Sequence, residues 1–260
     1  MRVGFITAHG PGMGHLRRCD ALRNALEKRG HEIQGFRFDD TDCVVVDDPS
    51  VNIGDVYWSM PGYIEKQPLV VLIDDYGEHE CKDNIVIRPY TDPELAWVDE
   101  VWRRRRKYDD GFRAKVAYCQ MGMSPEGKAL AEQISEALEI ACGPQWGYTA
   151  YDYCVGAPGH SSWERCTIGQ PTLQVIFSES QVNVANAIEE AGAGVTVWNC
   201  LEEGPVDESA LKTRIEGILS ADALSAMSDN ARHLCDGKGA ERTVKLMEEW
   251  CKPRTKEEWV

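Results

Sequence analysis

Two groups of polar residues in this chain have the types and spacing of a ligand site. In the second half, Gly156, Gly159, His160, Ser161 and Ser162 lead into a short helical run that carries Glu164. The apolar run 172–177 follows as a strand, and Ser180, Gln181 and Asn183 open the next helix. A Gly/Ser loop at a helix N-terminus offers unpaired N–H donors and the positive end of the dipole to a phosphate. A carboxylate one turn further on accepts from both hydroxyls of a ribose. These are the parts of a nucleotide-diphosphate site. In the first half, Gly10-Pro-Gly-Met-Gly-His-Leu-Arg-Arg18 follows an apolar strand. Gly12 and Gly14 let the backbone approach a phosphate or sugar closely. His15 falls in the first turn of the helix that follows, placed to act as a base, and Arg17 or Arg18 can reach a phosphate. The G-x-G-x-G-H spacing is not a dinucleotide fingerprint, and the loop lacks the lysine of a P-loop.

The elements that must position these groups alternate strand and helix with short connections, the pattern of an α/β protein with parallel sheets. Strands are expected over 3–8, 31–38, 43–46, 69–73 and 85–87, with a helix over 15–29 that Gly30 terminates. After a charged stretch lacking periodicity at 97–112, the rhythm restarts. Strands follow at 116–121, 152–155, 172–177 and 195–198, and a helix spans 125–140. Three helices at 207–219, 221–235 and 239–250 close the chain. The expected organisation is two Rossmann-like halves, 1–112 and 113–260, the second gripping the nucleotide. Their ligand lies in a cleft at the C-terminal ends of the strands. The last helix is a candidate to pack back on the first half.

Composition narrows the classes. The 260 residues carry a net charge of −15, which argues against nucleic acid as a bulk electrostatic partner. Mean hydropathy is −0.41, and the apolar runs are strand-sized, so no membrane insertion is expected. The apolar start 1–8 is too short for a signal peptide, which points to a cytoplasmic protein. Ten dispersed cysteines without a Cys-x-x-Cys pair read as reduced thiols and argue against a structural zinc. No metal ligand is expected. Asp40-Thr-Asp42 has the D-x-D form but precedes a strand and reads as a turn. Asp47-Asp48 and Asp74-Asp75 end strands, where either a cleft role or capping fits. His9 is a second-rank cleft residue, while His31, His79 and His233 read as surface or structural. Arg103 to Lys107 is a basic strip, read as a solvated connector or as a phosphate contact.

Four motifs together resemble the UDP-sugar hydrolase of pseudaminic acid biosynthesis. They are the G-x-G-H-x-x-R loop ending at Arg18, Ser161-Ser-Trp-Glu-Arg-Cys with its following Gly169 and Pro171, the helix start around Gln181, and Asp236-Gly-Lys-Gly-Ala-Glu-Arg242. That family lies within the GT-B nucleotide-sugar superfamily, which includes the lipid-linked N-acetylglucosamine transferase of peptidoglycan synthesis. The resemblance implies His15 as catalytic base, the 159–162 loop on the diphosphate, Glu164 on the ribose, and Gln181 and Asn183 on sugar or phosphate. It also implies Asp74 near the sugar. Met121-Gly122-Met-Ser124 resembles the family's glycine-rich turn near phosphate, with Met123 in place of a second glycine. The hydrolase's early Arg-x-Asp element is replaced here by Ile6-Thr-Ala-His-Gly10. Its loss shifts the expectation from hydrolysis, with water as nucleophile, to transfer of sugar from a UDP-sugar donor onto an acceptor hydroxyl, without a metal or cofactor. The other readings are the hydrolase itself, glycosylation of a modified nucleic-acid base, and a non-catalytic nucleotide-sugar-binding module. The acceptor is not legible: water, a saccharide and a DNA-base hydroxyl all fit. Oligomeric state is not legible.

Overall fold

The computed structural model describes residues 1–7, 14–34, 41–47, 69–74, 85–103, 116–143 and 148–252. His9, Gly12, Asp40, Asp48, Asp75, His79 and the basic residues 104–107 lie outside the described residues. The described residues form two parallel sheets with flanking helices, an α/β two-domain fold.

The first sheet contains β1 (Arg2–Thr7), β2 (Glu32–Ile33), β3 (Cys43–Asp47), β4 (Leu69–Ile73) and β5 (Ile85–Ile87), in the order β2-β1-β3-β4-β5. β3 and β4 are buried at every residue, which suits their unbroken apolar runs to a sheet covered on both faces. Helix α1 (Gly14–Lys28) returns from β1 and buries Cys19, Ala21, Leu22, Ala25 and Leu26, the three-and-four spacing of one apolar stripe. It ends at Gly30, whose φ of +79° is the left-handed conformation that closes helices.

The connection carries a short helix, α2 (Glu100–Arg103), and then the second sheet begins. It contains β6 (Ala117–Gln120), β7 (Ala141–Cys142), β8 (Tyr153–Gly156), β9 (Thr172–Ile176) and β10 (Gly194–Asn199). The order is β10-β9-β8-β6-β7, the same topology as the first sheet. Its helices are α3 (Pro125–Leu138), α4 (His160–Ile168), α5 (Val182–Glu190), α6 (Cys200–Glu203), α7 (Glu208–Ile218), α8 (Ala221–Leu234) and α9 (Gly239–Trp250). In each sheet the chain runs outward from the first strand on one side and resumes on its other side. The reversal opens a crevice between β1 and β3 and another between β6 and β8.

Two expectations are corrected. The strand expected over 31–38 is seen only at Glu32–Ile33, with 35–40 outside the described residues. The helix expected to reach Ile140 stops at Leu138, because Glu139 turns left-handed (φ 55°) and frees Ala141 to pair with Tyr118 in β7. A two-residue strand has no periodicity to read.

Helix α9 does pack on the first sheet. Ala240, Val244 and Met247 share a core with Val3, Leu22, Val45 and Val71. The buried Trp97 indole donates to Thr243 Oγ1 at 2.8 Å, and Glu248 takes Arg29 and His31 at 2.8 Å each. The Asp236–Arg242 motif makes this seat. Arg242 grips Asp236 with both terminal nitrogens and donates to the Glu94 carbonyl at 2.8 Å. A Cβ on Gly239 would stand 2.2 Å from the Ala96 carbonyl oxygen. Gly239→Ala is therefore expected to destabilise the protein by about 1–3 kcal/mol. Urea unfolding measures it, and a loss below about 0.5 kcal/mol, the size of an ordinary surface change, would show that α9 is not seated so closely.

Candidate active site

The first half of the site stands on the β1–β3 crevice. Asp47 ends β3 and is 1% exposed. Its Oδ1 lies 2.8 Å from His15 Nδ1, and its Oδ2 accepts from Arg18 Nε at 2.7 Å. A terminal nitrogen of Arg18 also bonds Oδ1, and the Cys19 thiol points at Oδ2 from 3.4 Å. One turn of α1 thus delivers three groups to one carboxylate: His15 from the cleft side, Arg18 and Cys19 from the core side. Burial pushes Asp47 upward, but Arg18 and the bonds from His15 and Arg18 outweigh it and hold the group at about 2. The same burial, with Asp47 beside it, pushes the Cys19 thiol up to about 12, so Cys19 remains a donor.

An ionised Asp47 only accepts, so Nδ1 of neutral His15 carries the proton and Nε2 keeps its lone pair. The 3.0 Å approach of Arg18 to Nδ1 brings two donors together on a shared acceptor and is not itself a hydrogen bond. The arrangement orients a base with Nε2 as the accepting atom. His15 is partly exposed, its side chain at 27%.

The second half stands on the β6–β8 crevice. Helix α4 is preceded by Gly159 at the cap position, which has no side chain to meet the first N–H groups. The Gly159 N–H instead donates to Ser162 Oγ at 3.1 Å, which fixes the loop. The His160 side chain is 9% exposed, and desolvation, with Arg18 adding to it, lowers its imidazole to about 3. It is therefore neutral at ordinary pH, and its 3.9 Å approach to Glu164 is not an ion pair. Glu164 is 2% exposed, and its Oε2 has no hydrogen-bond partner. Burial raises its carboxyl above the usual range, opposed by Arg17, Arg165 and a hydrogen bond from Trp102. A buried carboxylate oxygen left open at a helix start is a waiting acceptor.

The two halves meet. A Cβ on Gly14 would lie 3.3 Å from the His160 Cβ, so the first turn of α1 abuts the first turn of α4. Arg17 reaches across from α1 to within 3.6 Å of Glu164 Oε2. His15, Arg18, His160, Ser161, Ser162 and Glu164, expected from sequence to share one site, come from these two abutting turns.

Gly122 lies in the turn after β6 with φ of +91°, a conformation that favours glycine. Gln181 closes the turn after β9 by accepting from the Phe177 N–H at 2.9 Å, and Asn183 is half-buried in the first turn of α5. Asp74 ends β4 and pairs with Arg88 at 2.9 Å, while the carboxylate on His15 is that of Asp47. Asp42 accepts from the Arg2 N–H at 2.7 Å in the approach to β3. Sequence reasoning left Asp47 undecided between cleft and cap. It missed Arg165 inside the serine-rich motif, whose burial no spacing reveals.

No protein-family model matches this sequence, and no curated protein does. Solved structures do match. The spinosyn rhamnosyltransferase SpnG complexed with spinosyn aglycone aligns with a TM-score of 0.61 at 16% identity, covering 94% of this chain and 100% of that one. SpnG complexed with thymidine diphosphate gives 0.62 at 15%, covering 94% and 100%. MurG of Acinetobacter baumannii gives 0.62 at 12%, covering 95% and 99%. The fold is that of the GT-B glycosyltransferases.

The Asp47 cluster makes stability depend on acid. The folded group sits at about 2 against an ordinary 3.8. The folded value is the lower one, so its stabilisation is complete above about pH 4 and is lost as pH falls towards about 2. Roughly 2 kcal/mol is at stake. Unfolding curves of wild type and Asp47→Asn, measured across this range, are expected to converge as pH falls. Parallel curves would remove Asp47 as the cause.

Proposed function

We propose that this protein is a glycosyltransferase that takes a nucleotide sugar, a UDP-sugar by the family resemblance, and transfers the sugar to an acceptor hydroxyl without a metal. The observation that carries the reading is the abutment of two unlike half-sites. An oriented histidine base with a free Nε2 faces a helix N-terminus with uncapped N–H groups and an open buried carboxylate. The solved neighbours with this fold include a rhamnosyltransferase bound to thymidine diphosphate and the same enzyme bound to its aglycone.

In this reading the 159–162 loop and the α4 N-terminus hold the diphosphate, and Glu164 accepts from the ribose hydroxyls once Arg17 gives way. Gln181 and Asn183 face sugar or phosphate, and the Gly122 turn borders the same space. His15 Nε2 takes the proton of the acceptor hydroxyl as its oxygen bonds to the anomeric carbon. The bond from that carbon to the diphosphate oxygen breaks, and the departing negative charge falls to the N–H donors and the helix dipole. Asp47 holds the resulting imidazolium beside a carboxylate. Arg18 Nε and one of its terminal nitrogens hold Asp47, which keeps that carboxylate in place behind His15.

The test is release of UDP from a panel of UDP-sugars, with and without hydroxyl acceptors. His15→Ala is expected to lower turnover about 10²–10⁴-fold while UDP affinity is unchanged. Full activity in that variant would overturn the base assignment. Fast release without any acceptor would establish hydrolysis instead, and no UDP binding would overturn the nucleotide reading. Glu164→Gln is expected to weaken uridine and UDP alike, about tenfold, because both carry the ribose.

A further inference from the structure

Arg165 follows Glu164 on α4 and is wholly buried. Its guanidinium makes five hydrogen bonds, and every acceptor is a neutral oxygen. Nε donates to Thr172 Oγ1 at 3.1 Å. One terminal nitrogen donates to Gln120 Oε1 at 3.4 Å and Ser161 Oγ at 3.2 Å. The other donates to the Ala157 carbonyl at 3.0 Å and Ser162 Oγ at 2.8 Å. Among the described residues no carboxylate stands within ion-pair distance of it. Glu164 lies in its field but makes no hydrogen bond to it, and its Oε2 has Arg17 at 3.6 Å. A buried guanidinium cannot neutralise itself by losing its proton, and an uncompensated charge in the interior is costly. A hydrogen-bonding glutamine or a packed apolar residue would hold this loop at less cost.

We infer that Arg165 is the fixed positive charge of the anion cradle, a positioning residue that acts on the diphosphate through the loop it holds. Three of its bonds end on the Ala157–Ser162 loop itself. Arginine only donates, so it fills lone pairs of Ser161 and Ser162 and leaves their hydroxyl protons to point elsewhere. The Ser161 proton is then available to an anion over the α4 N-terminus. The guanidinium lies on the inner side of the loop, where low polarisability lets its field reach the ligand. The bound diphosphate becomes the counter-ion that the protein lacks. This rests on the nucleotide-diphosphate reading and adds the source of selectivity for the charged form of the ligand.

The experiment compares UDP with uridine, since only UDP brings the anion. The readout is the ratio of their affinities, by calorimetry, in wild type, Arg165→Lys, Arg165→Gln and Gln120→Glu. Gln120→Glu sets a carboxylate beside Arg165 without removing it, and the Tyr148 hydroxyl, now 3.4 Å from the Gln120 amide nitrogen, can turn to donate to it. That variant is expected to fold at least as stably as wild type while its UDP-to-uridine ratio falls about tenfold or more, the scale of one unit charge at an effective dielectric of about 20. Arg165→Gln is expected to lose as much, and Arg165→Lys to keep most of the ratio. A wild-type ratio in Gln120→Glu overturns the inference, even if Arg165→Gln fails to fold. Equal losses of UDP and uridine in the Arg165 variants would make Arg165 a structural brace only. Wild-type protein that binds neither ligand overturns the nucleotide reading, and this inference with it.

Discussion

The buried carboxylate of Asp47 is the constraint on which the first half of the site depends. An aspartate taken out of water at the end of a central strand is tolerable only if its charge is met, and Arg18 meets it through both oxygens. That pairing sets the rotation of α1 about its axis. Once Arg18 and Cys19 face inward, His15 one turn earlier must lie at the mouth of the crevice, against the same carboxylate. The orientation of His15 is thus a by-product of satisfying a core charge. It also explains why an arginine in a glycine-loop motif is 7% exposed.

The second half uses the opposite device. There the buried charge is a cation, Arg165, and its partners are neutral. The two half-sites arise from one topology used twice, because the order of strands 2-1-3-4-5 leaves a crevice beside the first strand of each sheet. What brings the crevices together is the return of α9 onto the first sheet, fixed by Trp97, Thr243 and the glycine-seated turn at Gly237–Gly239.

Most of the fold was legible because parallel strands buried on both faces and amphipathic helices have distinct periods. β4, β5 and α9 match their expected limits. β7 was illegible because two residues carry no period, and Glu139 gave no glycine signal for the helix stop. That His15, Ser161, Ser162 and Glu164 gather in one place was legible from motif and position. Asp47 was not separable from Asp74 by sequence, since both end apolar strands followed by a second aspartate. The distinction is one of strand order: β3 adjoins β1, whereas β4 is one strand further from α1. Resemblance pointed to Asp74, and topology places Asp47 on the histidine. The role of Asp236–Arg242 was likewise hidden. The motif holds a helix N-terminus to the linker, which only the three-dimensional contact with Glu94 and Ala96 reveals.

A net charge of −15 and an anionic ligand are compatible here because electrostatics in salt is local. Exposed charges beyond about 8 Å are largely screened at physiological ionic strength, while a buried charge close to the ligand is not. Part of the acidic surplus lies on exposed helix faces such as that of α3, where Glu126, Glu132 and Glu136 outnumber Lys128 and face solvent. The crevice walls carry Arg165 and the α4 N-terminus on one side and Arg17 on the other, with Arg18 already matched to Asp47. Even the neutral His160 contributes to this sorting, since its low proton affinity reports the positive field of Arg18 and Arg17 as well as its own burial. The potential a diphosphate would meet is therefore set by a few interior groups, and the surface charge governs instead which large polyanions the protein avoids.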